Sequence, residues 1–197
     1  VSELMAGQTL EQGIIKANLA WEDLLELFRI HGAFMFGVGT FHGDLHPGNC
    51  ILDKQGNFVF IDNGAICEAP RKVSNSLFNF FYHLSSNDKD LAFESLISLA
   101  ERRPRSVKVE EFKKDMHEIY RDFENLSVGQ QSLTEVMMKT VRSAVENAGA
   151  DYGEEGFPII RSLMYMDGLV IRTYPEVKLI SEMTGSLNEF KSGLNLG

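Results

Sequence analysis

The stretch Phe41-His42-Gly43-Asp44-Leu45-His46-Pro47-Gly48-Asn49 gathers polar and turn-forming residues between two more regular segments. Glycine and proline among polar neighbours are typical of a loop, so residues 40–49 are predicted to form one. Side chains that act on ligands concentrate on loops held by rigid elements. This stretch is therefore the candidate site.

A β-hairpin is predicted directly after this loop. Residues 50–52 and 58–61 are short β-prone runs, and Asp53-Lys54-Gln55-Gly56-Asn57 between them is a strong turn sequence. Because a hairpin folds the chain back on itself, Asp62 at its end is expected to return beside Asn49.

Asp44, Asn49 and Asp62 together suit phosphoryl transfer. That reaction needs a carboxylate to orient the nucleophile and oxygen ligands to hold Mg²⁺ on the phosphates. The spacing D-x-x-x-x-N, followed by a hairpin and Asp62-Asn63-Gly64, matches the catalytic loop and metal-binding turn of protein kinases. ATP and Mg²⁺ are therefore the predicted cofactors.

The rest of the chain has helical periodicity. The predicted fold is mainly α (α+β): a protein-kinase-like C-lobe, in which a helical bundle carries a small β-hairpin at the catalytic cleft. Gly37 and Gly39 are predicted to end the first helix, and Ser132 with Glu135 to form a capping box. Five methionines, 116, 137, 138, 164 and 166, are predicted to fill the core. The helices are predicted at 21–36, 74–84, 88–101, 109–123, 132–149 and 158–173.

Composition narrows the possible partners. The chain has 197 residues and a formal net charge of −9, which disfavours a nucleic-acid partner. Two cysteines are too few for a disulfide framework and favour a reducing compartment. No apolar run is long enough to span a bilayer. The chain opens with Val1-Ser2-Glu3, so we expect that something upstream has been removed.

Other interpretations of the polar loop stay open. His42, Asp44 and His46 alternate, so they could ligate a transition metal in a hydrolase. His42 could instead support the loop through hydrogen bonds. Asp44, Asn49 and Asp62 could each be turn formers without chemistry.

The loop resembles the H-[GA]-D-x-H-P-G-N loop of the UbiB family of atypical kinases, and also the loop of aminoglycoside phosphotransferases and choline kinases. Three further stretches favour UbiB. Residues 3–10 are similar to its hinge segment E-x-x-x-G-x-x-L, Phe34-Met35-Phe36 to its lead-in, and residues 164–175 to its late helix.

This resemblance implies a role for each matching residue. Asp44 would be the catalytic-loop acid, and Asn49 and Asp62 the metal ligands. His46 would shape the nucleotide-facing loop. Backbone groups of the hinge would meet the adenine, at Glu3, Leu4 and Met5.

The implied activity is that of an ATP-dependent phosphotransferase or ATPase linked to ubiquinone and other prenyl-lipid metabolism, with a small-molecule or lipid-related substrate. The alternatives are a small-molecule kinase of the aminoglycoside or choline type and a non-catalytic pseudokinase module.

The sequence departs from the family pattern at two positions. Position 63 is Asn where such families often carry Phe or Cys, and Gly43 replaces the Arg of a kinase H-R-D.

The whole chain, 1–197, is interpreted as one C-lobe that starts at a hinge of about 1–10, without the N-lobe and its phosphate-binding lysine. Alone it is expected to bind nucleotide weakly and turn over little. The expected location is the cytoplasmic face, peripheral to an organelle or bacterial inner membrane, with membrane contact through parts outside this chain.

Overall fold

A computed structural model describes residues 6–101, 106–153 and 156–193; the side chains of 106, 107 and 157 are not described. The elements are β1 (Gly7–Thr9), α1 (Leu10–Lys16), α2 (Trp21–Gly32), β2 (Thr40–His42), β3 (Cys50–Asp53), β4 (Phe58–Phe60), β5 (Ile66–Glu68), α3 (Arg71–Ser85), α4 (Lys89–Leu99), α5 (Ser106–Ile119), α6 (Leu133–Ser143), α7 (Gly156–Thr173) and α8 (Leu179–Gly193). The fold is mainly α with small antiparallel sheets, as predicted.

The predicted hairpin is confirmed and is part of a larger sheet. β3 and β4 pair antiparallel, with Cys50 opposite Phe60, and β1 adds a third strand on the other side of β3. Asp53 Oδ1 accepts the backbone N–H groups of Gln55 and Asn57, both at 2.8 Å, which closes the turn. Gly56 supplies the positive φ of 84° that this turn requires.

Two short strands show where the sequence-based prediction was wrong. Residues 40–42 were expected to be loop, and the chain after Asp62 was expected to be helical. Instead β2 and β5 pair antiparallel, with Phe41 opposite Cys67. Each strand has only three residues and pairs with a partner far along the chain, so neither leaves a local periodic signal.

The helices follow the predicted segments, with two additions, α1 and α8. α2 continues as a π-helical turn at Ala33–Val38 and ends at Gly39, whose φ is 84°. α6 continues in the same way and ends at Gly149. α8 was not predicted, although it buries Leu187 and Phe190 against the bundle.

Side chains cap the start of α1 and of α6. Thr9 and Gln12 form a reciprocal capping box at the start of α1. Ser132 Oγ accepts the Glu135 N–H at 3.0 Å, as predicted. The reciprocal half of that predicted box was wrong, because the Glu135 carboxylate accepts a hydrogen bond from Lys139 at 2.6 Å.

Two apolar clusters hold these elements together. The larger lies in the helical bundle, where the side chains of Phe78, Phe80 and Tyr120 are almost fully buried. The smaller packs α1 and α2 against β3 and Leu169 of α7. Burial of one such side chain contributes about 1.5–3 kcal/mol. The prediction of five core methionines was wrong for Met138 and Met164, which are 51% and 40% exposed.

Within the three described ranges, every helix is too short or too polar to cross a lipid bilayer.

Candidate active site

His42 joins the polar loop to the end of the hairpin. Its Nδ1 accepts the Asp44 N–H at 3.3 Å, and its Nε2 lies 2.9 Å from the Ile61 carbonyl oxygen. Because Nδ1 is an acceptor, Nε2 carries the proton and donates to Ile61. The ring is 4% exposed. Both ring nitrogens are used by the backbone, which supports a structural role for His42.

Asn49 connects three parts of the site. Its Nδ2 donates to the Asp44 carbonyl oxygen at 3.1 Å. Its own carbonyl accepts the Ile61 N–H at 2.9 Å, and its N–H donates to His46 O at 2.7 Å. Because the amide nitrogen is held by the Asp44 backbone, the side-chain oxygen is directed away from it. That oxygen suits Mg²⁺, which prefers oxygen ligands.

Asp62 follows Ile61 directly and is therefore beside Asn49, as the hairpin predicted. Its backbone is left-handed, with φ 63° and ψ 57°, and it begins a 3₁₀ turn at Asn63–Ala65. Aspartate is among the few residues that accept this conformation at modest cost. Asp62 and Asn63 are both exposed, so the residue at position 63 contributes no buried packing here.

The Asp44 carboxylate is incompletely satisfied. The side chain is half-buried, and its Oδ1 is shielded from solvent and has no hydrogen-bond partner among the described residues. A buried carboxylate oxygen is costly unless a donor or a cation reaches it. The environment therefore fits a bound group that brings a hydroxyl proton or a metal ion to this oxygen.

Helix α7 supplies two residues that the sequence-based prediction missed. Arg161 Nε donates to the Gly43 carbonyl oxygen at 2.8 Å. The Tyr165 ring meets the His46 ring edge-on, with centroids 5.8 Å apart. Hydrogen bonding and charge from Asp44 raise the pKa of the Tyr165 phenol. The spacing of four residues puts both on one helix face, but spacing alone does not tell which element that face meets.

A buried polar chain links the loop to the helices behind it. Ser162 Oγ lies 2.8 Å from His31 Nε2 and 3.4 Å from the His42 carbonyl oxygen. Burial lowers the pKa of His31 to about 4, so its ring is neutral at pH 7. Loop, α2 and α7 are therefore fixed to one another by hydrogen bonds as well as by apolar packing.

The remaining predicted site residues are His46 and three residues of the predicted hinge. His46 is exposed, and its Nδ1 accepts the Gly48 N–H at 3.1 Å. Glu3, Leu4 and Met5 lie outside the described residues.

In the part of the chain that the structure describes, no three His, Cys, Asp or Glu side chains come together in a way that could hold a metal ion. The alternative transition-metal set of His42, Asp44 and His46 is therefore not assembled. Asn49 and Asp62 offer one amide oxygen and one carboxylate, a donor set that would need further oxygen ligands to hold Mg²⁺.

Residues 1–96 match the model of the ABC1 atypical kinase-like domain. The chain therefore contains a match to an ABC1 (UbiB) atypical kinase-like domain in its first 96 residues. The matched segment contains the loop, the hairpin and Asp62. The mainly helical fold agrees with the protein-kinase-like architecture that the match indicates.

Several relatives agree with this assignment. The chain is 26% identical over 150 residues, 73% of its length, to protein ACTIVITY OF BC1 COMPLEX KINASE 3, chloroplastic, of Arabidopsis thaliana. It is 33% identical over 82 residues, 39% of its length, to serine/threonine-protein kinase F of a Synechocystis strain. These alignments cover 20% and 16% of the relatives, so the chain spans at most about a fifth of their length.

Proposed function

We propose that this chain carries the catalytic-loop and metal-binding half of an ATP-dependent phosphotransferase or ATPase. The observation that carries the proposal is the hydrogen-bonding of Asn49, which ties the backbone of Asp44 to the residue before Asp62. These hydrogen bonds connect the backbone at Asp44, Asn49 and Ile61, and the chain there offers a carboxylate at 44, an amide oxygen at 49 and a second carboxylate at 62. This is the donor set that phosphoryl transfer to a hydroxyl requires.

Each residue has a defined task in this proposal. Asn49 and Asp62 would hold Mg²⁺, and Asp44 would orient the acceptor and take its proton. The acceptor oxygen forms a bond to the γ-phosphorus, and the bond from that phosphorus to the β,γ-bridging oxygen breaks to release ADP. With water as acceptor the second product is inorganic phosphate. Bound Mg²⁺ supplies charge neutralisation on the phosphates.

The finer parts of the proposal rest on resemblance. Glu3, Leu4 and Met5 would meet the adenine, and His46 would shape the loop on the nucleotide side. The acceptor would be a small-molecule or lipid-related compound, connected with ubiquinone or other prenyl-lipid metabolism. An N-lobe would supply the positive charge on the phosphates, and membrane contact at the periphery of an organelle or bacterial inner membrane would come from parts outside this chain.

The test is ATP hydrolysis by the native full-length protein that carries this chain, with Asp62→Asn as the variant. Asparagine keeps the left-handed backbone but removes the charge. Asp122→Asn is the matched control, because Asp122 is also exposed and left-handed, with φ 58°. We expect Mg²⁺-dependent turnover that Asp62→Asn reduces at least about a hundredfold and that Asp122→Asn leaves unchanged.

A thermal-shift titration with ATP and ADP, with and without Mg²⁺, separates binding from turnover, since a ligand of the native state raises the midpoint. A Mg²⁺-dependent shift without hydrolysis would identify a non-catalytic nucleotide-binding module. Absence of both would overturn the proposal.

A further inference from the structure

The side chain of Arg161 reaches from α7 to the residue before Asp44. Its Nε donates to the Gly43 carbonyl oxygen at 2.8 Å. Because this bond uses Nε, the two terminal nitrogens of the guanidinium stay available. Consecutive Cα atoms lie only about 3.8 Å apart, so the bond fixes a positive charge beside the Asp44 backbone.

A second arginine of α7 has both terminal nitrogens occupied. Arg172 Nη1 and Nη2 donate to the two carboxylate oxygens of Glu11, at 2.9 and 2.7 Å. Among the described residues no carboxylate pairs with Arg161 in this way, and the Arg161 side chain is exposed. The chain has 28 Asp and Glu against 19 Lys and Arg, so a shortage of carboxylates does not explain the open guanidinium.

His46 lies on the other side of Asp44 in the loop and offers a further donor. Its Nδ1 accepts a backbone N–H at 3.1 Å, so its Nε2 carries the proton. The Tyr165 ring, one turn after Arg161 on α7, contacts the His46 ring edge-on, with centroids 5.8 Å apart. One face of α7 thus follows the loop on both sides of Asp44.

The Asp44 carboxylate sets a condition on any acceptor that carries a negative charge. Its Oδ1 has no hydrogen-bond partner in the described part of the chain, so it can receive an acceptor hydroxyl. An anionic group on the same acceptor would be repelled by this carboxylate unless a cation offsets the repulsion. Arg161 supplies that cation, and a planar guanidinium matches two oxygens of a carboxylate or phosphate.

We propose that Arg161 is a specificity-determining residue that binds an anionic group, a carboxylate or a phosphate monoester, on the acceptor whose hydroxyl lies at Asp44. The substrate class is then a hydroxyl compound with a negative charge close to the reacting oxygen. This inference rests on the proposed function, because it names the acceptor of that same site. The anionic group orients the acceptor and takes no part in bond formation.

Anion binding is tested without activity, by modification of arginines with phenylglyoxal in the native full-length protein. Inorganic phosphate is the probe, sodium chloride at equal ionic strength is the reference, and peptide mass spectrometry follows each arginine. Phosphate at several times its Kd should slow the modification of Arg161 at least about fivefold, by mass action. Arg142, exposed on α6, is the control and should react equally fast in both salts. Equal protection of the two arginines, or none at Arg161, would overturn the anion site.

The specificity test compares Arg161→Gln with Arg142→Gln in the native full-length protein. The acceptor probes are glycerol 3-phosphate, glycerate and glycerol, which share hydroxyl groups and differ in charge, and the phosphorylated product is measured by mass spectrometry. Wild type should have a higher kcat/KM for an anionic probe than for glycerol. Arg161→Gln should lower this ratio about ten- to a hundredfold, the contribution of a hydrogen bond to a charged group. Arg142→Gln should leave the ratio unchanged.

The ratio separates a specificity role from a structural one, because a displaced loop would slow transfer to all three acceptors alike. Faster transfer to glycerol 3-phosphate than to glycerate identifies a phosphate as the anion, and the reverse identifies a carboxylate. An unchanged ratio in Arg161→Gln, or an active wild type without preference for the anionic probes, would overturn the inference alone. Wild-type protein that does not turn over ATP would contradict the proposed function, and phosphate protection of Arg161 would still report on the anion site.

Discussion

His42 Nε2 lies 2.9 Å from the carbonyl oxygen of Ile61, so the polar loop and the residue before Asp62 are held together by one imidazole ring. The ring is buried and packs near Phe60, with centroids 6.1 Å apart. Its second nitrogen accepts the Asp44 N–H. One histidine therefore sets the backbone on both sides of the candidate site.

Replacement of His42 by Ala should lower the free energy of unfolding by about 2–4 kcal/mol. The variant removes a buried ring and leaves the Ile61 carbonyl and the Asp44 N–H without their partner. Urea unfolding measures the loss. His46→Ala is the matched control from the same loop. It should lower the free energy of unfolding much less, because the His46 ring is exposed. Equal losses in both variants would contradict the structural role of His42.

Gly43 is tightly enclosed, so a side chain at this position would have to displace its neighbours. A Cβ at residue 43 would collide with Cys67 Sγ and lie 3.2 Å from the Ala65 carbonyl oxygen. Gly43→Ala should therefore destabilise the protein by about 1–3 kcal/mol. Cys67→Ala removes the sulfur, so the double variant should recover most of this loss in a double-mutant cycle. Additive losses would show that the collision with Cys67 is not the cause.

Burial of His31 predicts a stability that falls in mild acid. The folded-state pKa is about 4, below the ordinary value of 6.5, so only the unfolded state binds this proton between those values. The contribution of His31 to the free energy of unfolding is therefore fully present above pH 6.5. It decreases by up to ~3 kcal/mol as the pH falls towards 4.

Chemical denaturation between pH 7 and pH 5 measures the slope that His31 produces. His31→Gln should flatten it, whatever the variant does to the absolute stability. His117→Gln is the control, because His117 is half-exposed and pairs with Asp90 on the surface. A slope that is the same in His31→Gln and wild type would show that another group titrates.

Local pattern was enough to predict the features that depend on neighbouring residues. The Asp53–Asn57 turn, the glycine helix ends at Gly39 and Gly149, and the Ser132 cap involve atoms only a few residues apart. The exposed Met138 and Met164 were misassigned, because an apolar residue type does not report which helix face is covered.

The sequence by itself determined the chemistry that the loop can offer: a carboxylate at 44, an amide at 49 and a carboxylate at 62, with a hairpin to bring the last two together. Only the tertiary structure decided what surrounds them. The pairing of β2 with β5, the position of α8, and the contacts of Arg161 and Tyr165 with a loop about 120 residues earlier depend on chain packing. Packing is a sum of many weak contacts between distant residues, so no local stretch of sequence encodes it.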